Sequence, residues 1–496
     1  MTTKQYILSI DQGTSSTKTL IFDELGQAVA KGVEPLHTNY LENGLVEQYP
    51  EEIIQNVLMS VEQCLQEFTA NGNNINNIKA CGISNQRETF VLWDKSGKPL
   101  CNAVVWQCKR SINICAKLKQ QGMDGIIKQK TGLIIDPYFS ATKLIWLYQN
   151  NEDVKQAIDA GNAYFGTVDT WLLYKLTNGE NYSTDYTNAS RTLFFNLSTL
   201  SWDRGLLEIF GLSKLNLPCC KPSSHLFGET DFNRLVNKPI IIAAMIGDSH
   251  AAAFGESCYE PGTAKATLGT GCSILMNIGY ELKHSSNGMV STICWSTKDK
   301  VQYALEGVIV TCGATIEWLK NEIGLITDSK LTEAMATSVP DNNGVYIVPA
   351  FSGLGAPYWD MNRKASVNGL TFSSNKNHIV RAALESIPYQ IKDVINAMEK
   401  DTGVALKELM IHGGLSTNGF VTQFIADLLN KPVHCSSMPD ISALGAAYLA
   451  GLQQKIYKDL DHLSKLNTEK KILQPSGYKK VNEWYKGWQE IIRNEK

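Results

Sequence analysis

At 496 residues, 43% apolar and 19% charged, the chain has the composition of a globular protein but is too long for one core, so two large domains or a few smaller ones are expected. A formal net charge of −3 with no long basic block argues against nucleic-acid binding and a polybasic membrane anchor, and favours a small-molecule partner. The absence of an 18-residue apolar span or a leader pattern, and twelve cysteines without a C-x-x-C pair, lead us to expect a cytoplasmic protein with reduced thiols, no zinc and no membrane insertion.

Tyr6–Ile10 reads as a short apolar strand and Thr19–Phe22 as a second, joined by Asp11-Gln12-Gly13-Thr14-Ser15-Ser16-Thr17-Lys18. That turn offers backbone N–H groups, hydroxyls and one cation, which can cradle an anion; Gly13 permits close approach, and an acid at a strand end suits a metal or its water shell. An ordinary polar hairpin turn explains the same stretch when it stands alone. From 51 to 68, EEIIQNVLMSVEQCLQEF repeats apolar residues three and four apart, as an amphipathic helix does, and IKACGISNQRETFVLWD returns to strands. Such alternation predicts an α/β fold with helices covering a sheet. Within it, Arg87 and Glu88 form a donor-acceptor pair just after a strand, suited to vicinal hydroxyls or equally to a surface ion pair.

The second half begins again in the same style. IIIAAMIGD (240–248) is a buried strand ending on Asp248, and AKATLGTGCSILMNIG (264–279) is strand, Gly-Thr-Gly turn, strand. Two such units half a chain apart suggest a duplicated domain with its two loops facing each other. Asp248 is a candidate general base, although an acid before Ser249-His250-Ala251-Ala252 is equally a helix N-cap. Further on, 408–436 reads as strand, glycine turn, helix, strand. Gly413 and Gly414 let the backbone approach a phosphate or flat ligand, and Asn418 stands where it could cap the helix or touch that ligand. The small-residue helix 440–453 is expected to pack tightly beside this unit, and the Lys-rich tail from about 454 to form a solvated helical region.

Ten stretches carry a specific resemblance: DQGTSSTK (11–18), NQRET (85–89), VVWQCKR (104–110), DPYFSATKLIWL (136–147), GTVDTWLLYKLT (166–177), TDYTNASRTLFFN (184–196), GTGC (269–272), YALEG (303–307), VPAFSGLGAPYWD (348–360) and LGAAYLAGL (444–452). In this order the chain resembles the FGGY carbohydrate kinases of the actin and hexokinase superfamily, and the glycerol kinases among them. The resemblance implies two actin-like, ribonuclease-H-like domains around a central cleft, 1–252 with the polyol and phosphate loop and 253–496 with the nucleotide. It also implies ATP-dependent phosphorylation of glycerol to sn-glycerol 3-phosphate, with Mg²⁺, in a homodimer or homotetramer. Asp248 would be the general base, and Asp11 and Asp248 would face the metal. Arg87, Glu88, Tyr138, Asp248 and Ser249 would meet the polyol hydroxyls, with Trp106 walling its carbon side. Thr14, Ser15, Ser16 and Lys18 would surround the phosphates, and Thr270, Gly313, Glu317, Gly414 and Asn418 the rest of the nucleotide.

Four positions depart from that pattern. Ser249 stands where glycerol kinases usually have Gln, and Ser273 where they have Phe. Both shorten side chains at one pocket, so the alternative is an FGGY kinase for a longer polyol or a ketose. Glu317 replaces a usual Gln and His412 a usual Asp near the nucleotide. The segment ETDFNRLVNKPI (229–240) lacks the glycine-rich Arg loop through which some bacterial glycerol kinases bind fructose 1,6-bisphosphate, so that inhibition is not expected. A catalytically silent sensor of the same fold is a third reading; retention of Asp11, Thr14, Arg87, Glu88 and Asp248 argues against it, since a sensor needs no proton acceptor.

Overall fold

Strands β1 (Tyr6–Gln12) and β2 (Ser16–Asp23) form the expected hairpin, pairing Asp11 with Lys18 and Gln12 with Thr17. The computed structural model describes residues 4–436, 438–466 and 470–494. β3 (Ala28–Pro35) continues the meander antiparallel to β2, and β4 (Ile78–Asn85) lies parallel to β1 on its other side. Between them runs α1 (Pro50–Ala70), whose Ile53, Val57, Val61, Cys64 and Phe68 are buried at helical spacing against the sheet. Pro50 at its first turn fixes φ where an N–H has no intrahelical partner. After an insertion containing α2 (Ser140–Asn150), β5 (Ser224–Thr230) and β6 (Ile240–Gly247) complete a sheet in the order β5-β6-β4-β1-β2-β3. β6 leads directly into α3 (Asp248–Gly255).

The same plan recurs. β7 (Thr263–Leu268), β8 (Cys272–Gly279), β9 (Val290–Ser296), β10 (Val301–Ile309), β11 (Glu408–His412), β12 (Val433–Ser436) and β13 (Lys470–Leu473) form a sheet ordered β9-β10-β8-β7-β11-β12-β13. β7, β8, β10, β11, β12 and β13 correspond to β1, β2, β3, β4, β6 and β5, with every neighbouring pair running in the same relative direction. The central strands β1, β4, β6 and β7 are nearly all buried, as parallel strands covered on both faces require. Helices α4 (Ala314–Asn321), α5 (Lys376–Thr402) and α6 (Gly419–Leu429) pack around the second sheet.

Helix α7 (Ile441–Gln453) does not pack chiefly on the 408–436 unit. It packs on the first sheet and crosses α3, with Ser9 Oγ donating to the Ala443 carbonyl at 2.7 Å. Small residues allow both contacts: at the crossing a Cβ at Gly445 would stand 1.9 Å from the Ala251 carbonyl oxygen, and on the sheet one at Gly82 of β4 would stand 2.3 Å from that of Ala446. One cluster of buried side chains, among them Ile7, Ala244, Phe254, Leu275, Met410 and Ala447, therefore joins both sheets. The tail also differs from the expectation of a solvated region. β13 extends the second sheet, and α8 (Lys480–Asn494) buries Val481, Tyr485, Trp488 and Ile492 against Tyr389 and Phe424. Periodicity cannot distinguish a docked amphipathic helix from a solvated one; here Trp488 Nε1 and Tyr485 Oη both donate to Asp393 of α5. Among the described residues no helix is long and apolar enough to cross a membrane, and all twelve cysteines are free.

Candidate active site

The acid that ends β1 is not a surface charge. Asp11 accepts a hydrogen bond from Ser84 Oγ at 2.9 Å, and burial, reinforced by the negative charge of Asp248, pushes its carboxyl up to about 6. Two carboxylates from different strand ends thus press on one another. Lys18, the cation of the turn, has its Nζ 3.0 Å from Asp440, which also holds Lys31 at 2.6 Å. In the turn itself Gly13 N donates to Ser16 O at 3.0 Å, and Ser15 is exposed at its tip. Thr14 Oγ1 donates to Gln86 Oε1 at 3.2 Å and accepts from Trp106 Nε1 at 3.0 Å, so the hairpin is tied to the neighbouring aromatic wall.

Asp248 is the first residue of α3, and the N-cap position falls to Gly247, without a side-chain cap. Its carboxylate is left facing outward, 39% exposed, with Oδ1 2.6 Å from Ser249 N and 3.3 Å from Arg87 Nε. Arg87 is nearly buried and turns its Nη2 to Glu306 Oε1 at 3.0 Å. Glu306 in turn takes Arg191 Nη1 at 2.7 Å on Oε2, and Arg191 Nε reaches Glu88 Oε1 at 2.5 Å. A chain of alternating charges, Asp248–Arg87–Glu306–Arg191–Glu88, therefore runs through the interior, with only Asp248 open to solvent. Burial pushes the Glu306 carboxyl up, but Arg191 and Arg87 together hold it well below the usual carboxylate range. For Glu88 burial outweighs the same arginines and raises the carboxyl.

Glu88 also has φ = 61°, a left-handed conformation that costs a non-glycine residue on the order of 1 kcal/mol and collects at functional sites. Ser140 Oγ pins its carbonyl at 2.8 Å. Beside this chain, the rings of Trp106 and Tyr138 meet edge-to-face with centroids 5.5 Å apart, and the Arg191 guanidinium lies 5.8 Å over the Tyr138 ring. Ser273 Oγ donates to Glu306 Oε1 at 3.1 Å, and Ser249 Oγ stands 3.5 Å from Ser273 Oγ. The two shortened side chains thus form a hydroxyl edge between Asp248 and Glu306.

The loops of the second sheet open on the same region, since Ser273 follows the β7–β8 turn. Thr270 is exposed in that turn, and Gly313 N donates to Gly269 O at 2.9 Å. A Cβ at Gly313 would stand 2.7 Å from the same carbonyl, so only glycine fits there. Glu317 sits on the exposed side of α4, accepting from Asn321 Nδ2 at 3.4 Å. Gly413 has φ = 103°, and Gly414 beside it is exposed. Asn418 caps α6 by accepting from Val421 N at 3.1 Å, while its Nδ2 meets Thr332 Oγ1 at 3.3 Å. His412 is answered below the turn: its Nδ1 lies 3.0 Å from Glu256 Oε1 and its Nε2 2.9 Å from Thr267 Oγ1, which accepts from buried Lys265 at 2.7 Å. Among the described residues no group of three or more His, Cys, Asp or Glu side chains is placed to hold a metal by itself.

Residues 6–255 match the N-terminal domain model of the FGGY family of carbohydrate kinases, and residues 264–453 its C-terminal domain model. The chain belongs to the FGGY carbohydrate kinases. It is 44% identical to a glycerol kinase of Shewanella frigidimarina over 494 residues, 99% of this chain and 98% of that protein. It superposes on the glycerol kinase of Plasmodium falciparum, solved with ADP, with a TM-score of 0.93 at 36% identity, covering 99% and 98% of the two chains. A gluconate kinase of Lactobacillus acidophilus has the same fold, with a TM-score of 0.87 at 22% identity over 99% of each chain.

Two charged residues of this FGGY kinase's site, Arg191 and Glu306, escaped the sequence reading even though both lie in stretches that carry the resemblance. Glu306 had one available signal, a charge inside an otherwise apolar stretch, ALEGVIV, which is buried only if it finds a partner; Arg191, between Ser190 and Thr192, had only the apolar LFF two residues on. The partners are distant in sequence; Arg87 and Glu306 are 219 positions apart.

Proposed function

We propose that this FGGY kinase transfers the terminal phosphoryl group of ATP to a primary hydroxyl of glycerol, giving sn-glycerol 3-phosphate and ADP. The observation that carries the reading is the open Asp248 carboxylate at the end of a buried charge chain, 3.3 Å from Arg87 and near enough to Asp11 of the β1–β2 hairpin for its charge to act on that carboxyl. An attacking hydroxyl gives its proton to Asp248 as its oxygen bonds to phosphorus, and the bond to ADP breaks on the opposite side. Arg87, Glu88, Tyr138 and Ser249 bind and orient the hydroxyls, and Trp106 covers the carbon side. Thr14, Ser15, Ser16 and Lys18 hold the phosphates; Thr270, Gly313, Glu317, Gly414 and Asn418 surround the remainder of the nucleotide. Asp11 and Asp248 fit Mg²⁺, because a divalent ion would offset both the burial that chiefly raises the Asp11 carboxyl and the repulsion from Asp248 that adds to it, and Mg²⁺ commonly takes only one or two carboxylates with the substrate's phosphates. When bound, the ion neutralises charge between the phosphates and these acids.

Glycerol is preferred to a longer polyol or ketose because the relatives at 44% identity bear the name glycerol kinase, whereas structures named for gluconate and xylulose are 22% identical. Coupled ADP release with glycerol, dihydroxyacetone, erythritol, xylitol, ribulose and xylulose tests this. A kcat/KM for glycerol far above the rest is expected; a four- or five-carbon winner, or no turnover, contradicts it. The reading also carries the division at residues 252/253, a cytoplasmic setting, and a homodimer or homotetramer.

A further inference from the structure

The first turn of α2 carries a lysine with no exposed surface. Lys143 is 0% exposed, and its Nζ donates to the carbonyl oxygens of Tyr138 at 2.6 Å, Pro137 at 2.8 Å and Trp106 at 3.4 Å. Three ammonium N–H groups thus meet three backbone acceptors. Among the described residues no carboxylate stands at ion-pair distance from it; the ionisable groups facing it are Glu88, Cys108, Asp136 and Cys115. Burial of a cation without a carboxylate partner is costly, so the position calls for a role.

Its partners suggest one. Pro137 and Tyr138 lie just before α2, and Trp106 lies on a separate segment after β4. The same turn of α2 supplies Ser140, which holds the carbonyl of strained Glu88. Trp106 continues to Thr14 of the phosphate hairpin through its Nε1. A single helical turn therefore supports the backbone under Glu88, Trp106 and Tyr138, three of the residues assigned to the polyol.

We propose that Lys143 is a positioning residue for the polyol pocket: its ammonium staples the Trp106 segment to Pro137–Tyr138 and so fixes the aromatic wall against the substrate's carbon chain. This rests on the function proposed above. The staple needs the protonated form, because a neutral amine has two N–H groups and a lone pair that would face a carbonyl. Burial lowers the Lys143 pKa to about 8, opposed by Glu88 and its neighbours, so the staple loosens as the pH rises through that value.

The test compares wild type with Lys143→Met and Lys143→Arg. In Lys143→Met the KM for the polyol is expected to rise about tenfold or more while that for ATP moves by less than about twofold. Wild-type polyol KM should climb above about pH 8, whereas in both variants it stays flat, lower in Lys143→Arg because the charge and donors remain. Amide hydrogen exchange, read without substrate, should quicken in segments 104–108 and 136–140 of Lys143→Met. Unchanged exchange there, a pH-independent wild-type polyol KM, or an equal rise in both KM values with a lowered thermal midpoint would overturn the proposal. If Lys143→Met does not fold, the wild-type pH profile and Lys143→Arg decide. Wild type that turns over no polyol would defeat the functional reading, while hydrogen exchange would still report on the staple.

Discussion

At the scale of single residues, the site is governed by buried charge. Glu306 answers two arginines at once, so its loss leaves both under-compensated in the interior. Breaking a buried ion pair from one side costs about 3 kcal/mol or more; Glu306→Gln is therefore expected to lower the thermal midpoint markedly and to raise the glycerol KM more than the ATP KM. A second pair of buried acids supports the same region. Asp169 accepts from Thr184 Oγ1 and Asp185 N, and Asp185 caps the turn leading to Arg191 through Thr187 and Asn188. Thr187 Oγ1 accepts from Gly247 N, the residue before Asp248. Burial, then the neighbouring Asp185, pushes the Asp169 carboxyl up to about 7. A carboxyl raised on folding stabilises the fold fully below its unfolded pKa of about 4, and that contribution is lost as the pH rises through the folded value. Stability should therefore fall between about pH 4 and pH 7 by an amount that Asp169→Asn largely removes, as thermal midpoints across that range would reveal.

At the scale of elements, the crossing of α3 and α7 places the catalytic candidate. Ser442 Oγ on α7 donates to the Asp248 carbonyl at 3.1 Å, and Gly445 meets Ala251 with no room for a Cβ. Gly445→Val should force the helices apart at a cost of about 3 kcal/mol, visible as a lower thermal midpoint together with a fall in kcat. This crossing was not legible in the sequence: a run of small residues announces close packing but not the partner, and the nearest unit in sequence proved to be the wrong one. The hairpins were legible because an apolar run followed by a Gly-Thr turn restricts the backbone, and they recur as β1–β2 and β7–β8, the first with Asp11 at its strand end. Asp248 stood out as an acid ending an apolar strand. Its N-cap alternative failed because Gly247 takes that position. Arg191 and Glu306 were missed because their pairing is set by how sheets and insertion fold together, not by local spacing.

At the scale of the whole molecule, two copies of one sheet plan turn their loop ends toward each other. The first brings Asp11, Thr14 and the Arg87–Glu88 turn; the second brings Thr270, Ser273 and the Gly413–Gly414 turn; Glu306 and Ser273 reach across to Arg87 and Ser249. A cleft of this kind can bring two substrates together while excluding water on closure, which orients a hydroxyl toward phosphate rather than leaving ATP to hydrolysis. The proposed transfer needs Asp248 as proton acceptor at that junction. The most direct measurement is kcat for glycerol together with calorimetric ADP affinity, taken without Mg²⁺, in Asp248→Asn, which keeps the shape and removes the base. Turnover is expected to drop by about 10³-fold or more with ADP affinity nearly unchanged; a variant that retains near-wild-type turnover would contradict the account.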